Sequence, residues 1–389
     1  MNKEKIDVEG VSAKSPRVHV RTFGCQMNVR DSEVICGLLQ KAGYRISATD
    51  QDADIIIFNT CSVRKHAEDR VWSLIGSYKG SKIIGLVGCM AQNYQERAFE
   101  RDPNISFVVG PQDISKLPDI LKKFTFKNLF ECKVWETEGT LRPEEIYHTG
   151  FYPDNQHAYV VISEGCSNFC SYCVVPYVRG PLRHRKYKDI LTEIQEAVDR
   201  GVSKVTLLGQ NVNAYQDSQV NFTKLLTQVN GLSGLKEFDF YTSHPKDANL
   251  DFFKAIRDLE KSAKHLHLPL QSGSDRILKL MKRGYSVKDY LVLIDSYRKI
   301  VKGGLLTSDI IVGFPTETEE EFNQTCALLK KARFNAAYIF KYSSRPGTQA
   351  AKISEELKPK ELEKRHKKIL DLQRCISGKL RSKDSHAKN

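Results

Sequence analysis

Cys166, Cys170 and Cys173 stand at C-x3-C-x2-C spacing in the run Gly165-Cys166-Ser167-Asn168-Phe169-Cys170-Ser171-Tyr172-Cys173. Three thiolates from one short loop can wrap one face of a cubane iron–sulfur cluster, which normally takes four cysteines. With three supplied locally, one iron stays open to a substrate. A structural zinc site would need a fourth ligand, such as His157 or His184, and usually shows a second C-x2-C pair, which this chain lacks. A thioredoxin-like redox pair would use only two cysteines near a strand–helix junction. Chance spacing in a cysteine-rich chain is the remaining competitor. The three-cysteine loop favours the cluster.

A second set is dispersed. Cys25 follows Thr22-Phe23-Gly24, Cys61 follows Phe58-Asn59-Thr60, and Cys89 follows Leu86-Val87-Gly88. Each closes a strand-like run, so in a parallel sheet the three would meet at the carboxyl edge, where open α/β folds bind ligands. Glycine precedes two of them and lets backbone approach a bulky ligand. Buried core thiols would instead fall inside strands or on helix stripes. The topology points to a second cluster on three protein ligands. Cys36 shares an apolar helix stripe with Val34, Leu38 and Leu39 and reads as core, while Cys132, Cys326 and Cys375 have no partner at ligand spacing.

The elements that must position these cysteines are legible as two alternating series. In the first third, strand-like runs at 18–23, 54–58, 82–87 and 107–109 alternate with helical patterns at 31–42, 65–77 and 92–100. Such alternation implies right-handed crossovers and a parallel sheet. Residues 125–154 are less periodic and read as a connection. Beyond them, strands are expected at 158–162, 204–208, 237–241, 265–268, 309–312 and 337–340, with helices between, for example 190–200 and 286–301. Six strand–helix units suit an open partial barrel rather than a closed eight-fold one. The fold class is therefore α/β: an open parallel sheet domain at 17–140, a partial (β/α)6 barrel at 150–350, and a basic helical tail at 351–389.

The chain has 389 residues, 40% hydrophobic and 28% charged, an ordinary balance for a globular protein. No apolar run approaches the roughly 18 residues of a membrane span, and the charged start is no signal peptide. A cytoplasmic protein is expected, in which ten cysteines suit metal or catalytic roles better than disulfides. The formal net charge of +13 favours a polyanionic partner, although a lysine-rich surface alone could produce it.

These residues sit in runs that resemble the radical S-adenosylmethionine methylthiotransferases, and among them the bacterial tRNA 2-methylthio-N6-isopentenyladenosine synthases. The runs are Thr22-Phe23-Gly24-Cys25-Gln26-Met27-Asn28, Asn59-Thr60-Cys61-Ser62-Val63-Arg64 and Gly88-Cys89-Met90-Ala91-Gln92, then the Cys166 loop with Val175-Pro176-Tyr177-Val178-Arg179-Gly180. Leu208-Gly209-Gln210-Asn211-Val212-Asn213, Thr242-Ser243-His244-Pro245-Lys246 and Leu268-Pro269-Leu270-Gln271-Ser272-Gly273-Ser274 follow. Asp309-Ile310-Ile311-Val312-Gly313-Phe314-Pro315 and Tyr342-Ser343-Ser344-Arg345-Pro346-Gly347-Thr348 complete a set that covers nearly the whole chain in order.

The resemblance implies two 4Fe–4S clusters, one on Cys166, Cys170 and Cys173, the other on Cys25, Cys61 and Cys89. S-adenosylmethionine on the first would yield a 5′-deoxyadenosyl radical that removes hydrogen from carbon 2 of N6-isopentenyladenosine in tRNA. That carbon–hydrogen bond has no useful acidity, so general-base chemistry cannot serve. The auxiliary cluster would carry the sulfur, methylated by a second S-adenosylmethionine. Tyr172, Gly209, Gln210, Asn211, Gln271, Ser272 and Gly313 are implied cofactor contacts. They lie at the ligand loop and at strand ends, where barrel active sites gather. A flavodoxin or ferredoxin electron donor is implied, and a monomer is expected. Arg179, Arg183 and Arg185 could hold RNA phosphate or the cofactor carboxylate, or form a solvated basic turn.

Three departures from the pattern stand out. Family members usually end in a small RNA-binding β-barrel, and no such strand pattern follows Arg345-Pro346-Gly347. The basic tail residues Lys364, Arg365, Lys367 and Lys368 could supply electrostatic contact instead. Pro181-Leu182-Arg183 stands where a glutamate is common, and Thr316 where glycine is usual. Competing readings are a sibling acting on threonylcarbamoyl-adenosine in tRNA or on an aspartate of a ribosomal protein, and a non-catalytic iron–sulfur RNA-binding redox sensor. Gln26-Met27-Asn28 argues against the siblings, which tend to have lysine just after the first cysteine.

Overall fold

Long β-branched runs flanked by polar helices fold the first third into one parallel sheet. The structure is a computed structural model, and it describes residues 15–62, 65–78, 82–124, 132–353 and 357–386. Strands β1 (Arg17–Phe23), β2 (Arg45–Ile46), β3 (Ile55–Thr60), β4 (Ile83–Gly88), β5 (Ile105–Val109) and β6 (Val134–Glu136) lie in the order β2-β1-β3-β4-β5-β6. All the pairings are parallel. Every residue of β3, β4 and β5 is buried, as expected of strands covered on both faces. Phe58, Leu86 and Val108 meet Val71, Ile75 and Met90 in the core of one layer.

The order has a physical consequence. The chain winds outward from β1 to β2, then returns to the other side of β1 as β3. Winding therefore reverses between β1 and β3, and the crevice beyond their carboxyl ends is where such sheets bind ligands. The helix Gln26–Lys41 starts directly after Cys25, five residues earlier than its apolar periodicity predicts, because Cys25 itself is the extended N-cap residue. The edge strands β2 and β6 were not predicted. With two and three residues they are too short to show a pattern, and β6 falls within the stretch read as a connection.

In the second series β7 (His157–Val161) is followed by two short strands, β8 (Ser163–Glu164) and β9 (Arg183–His184), which pair antiparallel. Next come β10 (Lys204–Leu208), the antiparallel pair β11 (Gln216–Asp217) and β12 (Val220–Asn221), and β13 (Glu237–Phe240). Last are β14 (His265–His267), β15 (Leu305–Val312) and β16 (Ala336–Lys341). The six expected strands form two parallel three-stranded sheets, β13-β10-β7 and β14-β15-β16. An isolated parallel bridge joins Phe238 of β13 to Ser262, just before β14. Along β15, Leu306, Ser308, Ile310 and Val312 are buried while Thr307 and Asp309 face a wetter side. That side carries a run of hydrogen-bonded rings and carboxylates: Asp239 to His265, His265 and His267 to Thr307, and His267 to Asp309.

The helix Pro359–His386 is more than a basic tail. Arg365, Ile369, Gln373, Ile376 and Ser377 form one buried face at helical spacing. Gln373 Nε2 donates to Phe334 O at 3.0 Å and Ser377 Oγ to Asn335 O at 2.9 Å, on the segment entering β16. Arg365 is therefore unavailable to RNA: its Nη1 pairs with Glu317 at 3.3 Å and donates to the carbonyls of Glu317 and Thr318. Among the described residues no strand follows Lys341. The described residues form two compact units, 15–154 with 177–180, and 155–176 with 181–386.

Thr316 occupies the left-handed region at φ 68°, costly for a β-branched residue. Arg276 clamps this turn, its Nη2 donating to Thr316 O at 2.7 Å and pairing with Glu321 at 2.7 Å. Thr316→Gly should stabilise the protein by about 1 kcal/mol, read as a higher urea midpoint. An unchanged or lower midpoint would show that the turn is unstrained.

Candidate functional site

In the first unit, Cys25, Cys61 and Cys89 lie at the carboxyl ends of β1, β3 and β4, on either side of the winding reversal. The fit is close enough to exclude larger residues. A Cβ on Gly24 would come within 2.4 Å of Cys61 Cβ, and one on Gly88, at φ 90°, within 2.5 Å of Asn59 Oδ1. Asn28 and Asn59 brace the site from below. Cys25 Sγ sits 3.3 Å from Asn28 Oδ1, Asn28 Nδ2 donates to Asn59 Oδ1 at 3.2 Å, and Asn59 Nδ2 donates to Ser32 Oγ at 2.9 Å.

A buried ion cluster touches this triad. Arg179 Nε donates to Cys89 Sγ at 3.2 Å, and its Nη2 pairs with Asp31 at 2.6 Å. Arg142 takes the other oxygen of Asp31 at 2.7 Å, and Gln112 Nε2 holds the Arg179 carbonyl at 2.9 Å. All three charged side chains are almost wholly buried. A hydrogen bond from Cys61 draws the Cys25 thiol down to about 6, against the effect of burial and with help from Arg179. Burial pushes Cys89 up, with Arg179 opposing.

In the second unit the loop of Cys166, Cys170 and Cys173 follows β8. Its tight turn is closed by Cys173 N donating to Cys170 O at 2.9 Å. Ser171 N donates to Met281 O at 3.0 Å and Ala350 N to Ser171 O at 2.8 Å, so the loop is fixed from two sides. Burial raises the Cys166 thiol and pushes Cys173 up to about 12. Arg283, also buried, donates from Nη1 to Cys170 Sγ at 3.3 Å and to Tyr172 Oη at 3.4 Å.

The strand ends around this loop carry polar atoms that find no partner among the described residues: Ser163 Oγ, Ser171 Oγ, Gln210 Oε1, Asn211 Oδ1, Ser243 Oγ and Gln271 Oε1. Buried orphans of this kind are rare unless a ligand satisfies them. Of the residues singled out in sequence, Asn211 is fixed by its Nδ2 to Asp247 at 2.7 Å, and Gln271 sits at φ 74°, strained for a non-glycine. Ser272 is fully buried and caps Ser274 N at 3.2 Å. Gly313, at φ 75°, receives the Glu317 carboxylate on its N–H at 2.9 Å. A Cβ on Gly209 would strike Ser163 Oγ at 2.4 Å. Both thiol triads and the orphaned acceptors fit thiolate-bound clusters and a polar, amine-bearing cofactor.

Other readings fare less well. Among the described residues no group of three His, Cys, Asp or Glu side chains stands as a ready-made shell for a metal ion. His157 is engaged with Thr206 at 2.8 Å. The three arginines read as contacts to RNA phosphate or the cofactor carboxylate, or as a solvated turn, each form an ion pair: Arg179 with Asp31, Arg185 with Glu193, and Arg183 with Glu164 at 3.7 Å. Cys36 and Cys326 are buried, and burial raises both thiols, Cys36 to about 12. Asp31, Arg142 and Arg283 were missed, since no motif spacing marks a residue whose partners lie far along the chain.

The class of protein follows from matches to known families. Residues 160–329 match the radical SAM superfamily and residues 17–110 match the uncharacterized protein family UPF0004. The fold resembles a radical S-adenosylmethionine methyltransferase, TsrM, from Kitasatospora setae, with a TM-score of 0.61, 13% identity, and coverage of 87% of this chain and 75% of that one. It also resembles the cobalamin-dependent radical enzyme OxsB, with a TM-score of 0.54 and 15% identity over 91% of this chain and 56% of that one.

Closer relatives narrow the class. The tRNA-2-methylthio-N(6)-dimethylallyladenosine synthases of Thermoanaerobacter pseudethanolicus and Carboxydothermus hydrogenoformans are each 41% identical over 92% of this chain, covering 78% and 83% of their own lengths. That of Clostridium tetani is 41% identical over 91% of this chain and 80% of its own. The chain belongs to this methylthiotransferase family.

Two outcomes follow. In metal-free protein, iodoacetamide should label Cys25 with an apparent pKa near 6, while Cys89 and Cys173 label slowly; equal rates at pH 7 would contradict the described polarisation. Burial alone would raise the Asp31 carboxyl, but Arg142 and Arg179 hold it below its usual value. Its stabilisation is therefore present above the unfolded value of about 3.9 and lost as pH falls through the lower folded value. Asp31→Asn should cost roughly 3–5 kcal/mol at pH 7, measured by denaturant unfolding.

Proposed function

We propose that this protein is a radical S-adenosylmethionine methylthiotransferase that adds a methylthio group to carbon 2 of N6-isopentenyladenosine (dimethylallyladenosine) in tRNA. The observation that carries the reading is the pair of cysteine triads, one at the carboxyl edge of the first unit's parallel sheet and one on the loop that follows β7 and β8, in a chain of this family. On this reading residues 17–140 hold the auxiliary 4Fe–4S cluster on Cys25, Cys61 and Cys89. Residues 150–350 hold the radical 4Fe–4S cluster on Cys166, Cys170 and Cys173, and residues 351–389 form the basic helical tail, whose helix Pro359–His386 packs on β16. Together the clusters and S-adenosylmethionine supply hydrogen abstraction and sulfur transfer, which no side chain can supply.

The chain's own residues bind and orient. Tyr172, Gly209, Gln210, Asn211, Gln271, Ser272 and Gly313 form the S-adenosylmethionine pocket, where the orphaned amide oxygens of Gln210, Asn211 and Gln271 are acceptors suited to its ammonium and ribose hydroxyls. Arg179 orients Cys89 and offsets thiolate charge. The net charge of +13 suits a tRNA partner. No helix of the described residues is long and apolar enough to cross a membrane. We place the protein in the cytoplasm, as a monomer reduced by a flavodoxin or ferredoxin.

The test is nucleoside mass spectrometry of tRNA from a host lacking its own methylthiolase, with and without this chain. Appearance of 2-methylthio-N6-isopentenyladenosine is expected. Persistence of the precursor alone, with both clusters loaded, would move the assignment to a sibling substrate. Cys170→Ala should abolish cleavage of S-adenosylmethionine, and Cys61→Ala should preserve cleavage while losing sulfur insertion. Equal loss of cleavage in both would overturn the division of labour between the triads.

A further inference from the structure

Arg283 is an unusual residue to find buried. Only 5% of it is exposed, and a guanidinium stays protonated at any pH the fold survives. Its donors end on Cys170 Sγ at 3.3 Å, Tyr172 Oη at 3.4 Å, Pro269 O at 3.1 Å and Tyr285 Oη at 3.0 Å. Among the described residues, none of its hydrogen-bond partners is a carboxylate. Arg179, at the other triad, ends on Asp31 as well as on sulfur. A buried cation with neutral partners is strongly disfavoured unless an anion reaches it. The sulfur of Cys170 is the one partner that becomes anionic, once it is a metal-bound thiolate.

The surroundings keep that charge in place. Tyr285 Oη donates to Leu270 O at 2.8 Å, and its ring lies 5.4 Å from the guanidinium carbon. Tyr172 packs on Ile277, Met281 and Phe314. Lys246 also acts on the loop, but it is exposed, so water and salt screen it. His244, buried nearby, is held neutral by burial and by Arg283 and Lys246, its pKa lowered to about 2. Among the described residues, Arg283 is thus the buried cation that hydrogen-bonds a sulfur of this triad.

We propose that Arg283 is the positioning residue and counter-charge of the Cys166–Cys170–Cys173 centre, orienting the Cys170 sulfur and biasing the centre towards its reduced state. The inference rests on the reading that this triad holds a 4Fe–4S cluster. Net charge, hydrogen bonds to the ligand sulfurs and solvent exposure set the potential of such centres. On reduction one electron passes from a low-potential reductant to the centre. No bond or proton changes at Arg283; its charge offsets the electron added nearby.

The experiment uses the full-length chain with Cys25, Cys61 and Cys89 replaced by alanine, so that one centre remains, reconstituted anaerobically with iron and sulfide. Iron content is measured first, then the reduced fraction by electron paramagnetic resonance during titration with reduced viologens. Arg283→Met should lower the reduced-to-oxidised ratio about tenfold at fixed potential, a shift of about 59 mV to more negative values for one electron. Arg283→Lys should restore most of it. Failure of Arg283→Met to load iron while Arg283→Lys loads it also supports a counter-charge. An unchanged midpoint in Arg283→Met at full iron content overturns the proposal, as does equal failure of both variants to load, which would mark a role in shape alone. If the background protein with Arg283 intact binds no iron, the cluster reading itself falls, and the inference with it.

Discussion

Gathering three thiolates in a site largely closed to water is a problem of charge before it is one of geometry. A cysteine sulfur must lose a proton before it can bind metal, and burial opposes that loss, pushing the Cys89, Cys166 and Cys173 thiols up. The protein answers at both triads with an arginine aimed at one sulfur, Arg179 on Cys89 and Arg283 on Cys170. These guanidiniums need polar company of their own. Asp31, Arg142 and Gln112 gather around the first, and Tyr172, Tyr285 and the Pro269 carbonyl around the second. Much of the buried polar structure near each site follows from this one requirement.

The sheets decide where such sites can be. Parallel strands all end on one edge, so three residues far apart in sequence converge if each follows a strand. In the first unit the reversal of winding between β1 and β3 opens the crevice that receives Cys25 and Cys61, with Cys89 one strand further on. The second unit uses another route: one loop carries all three cysteines, and neighbouring strand ends supply acceptors such as Gln210 and Gln271. The helix Pro359–His386 then covers β16, so its basic composition conceals a packing role.

The sequence was most legible where chemistry is local. C-x3-C-x2-C is a pattern within eight residues, and the six strands of the second series lie in apolar or alternating runs between helical periods. Even the dispersed triad could be inferred, because its members share a position relative to their strands. Legibility failed for short edges and long-range polar partners. β2 and β6 have too few residues for alternation to appear, and Arg365 looked like one more lysine-rich surface charge although Glu317 holds it inside.

Hydrophobic period and cysteine placement, both properties of neighbouring residues, therefore determined by themselves the α/β class and the strand-end positions of the dispersed cysteines, while the motif runs around them carried the resemblance to the family. Tertiary structure alone decided which charges are compensated. Arg179 and Arg185, equally basic in the sequence, became buried ion pairs, and Arg283 came to rest on a cysteine sulfur 113 residues away in the chain. The reason is that the energy of a buried charge depends on every dipole and charge within a few ångströms, and only folding brings those groups together.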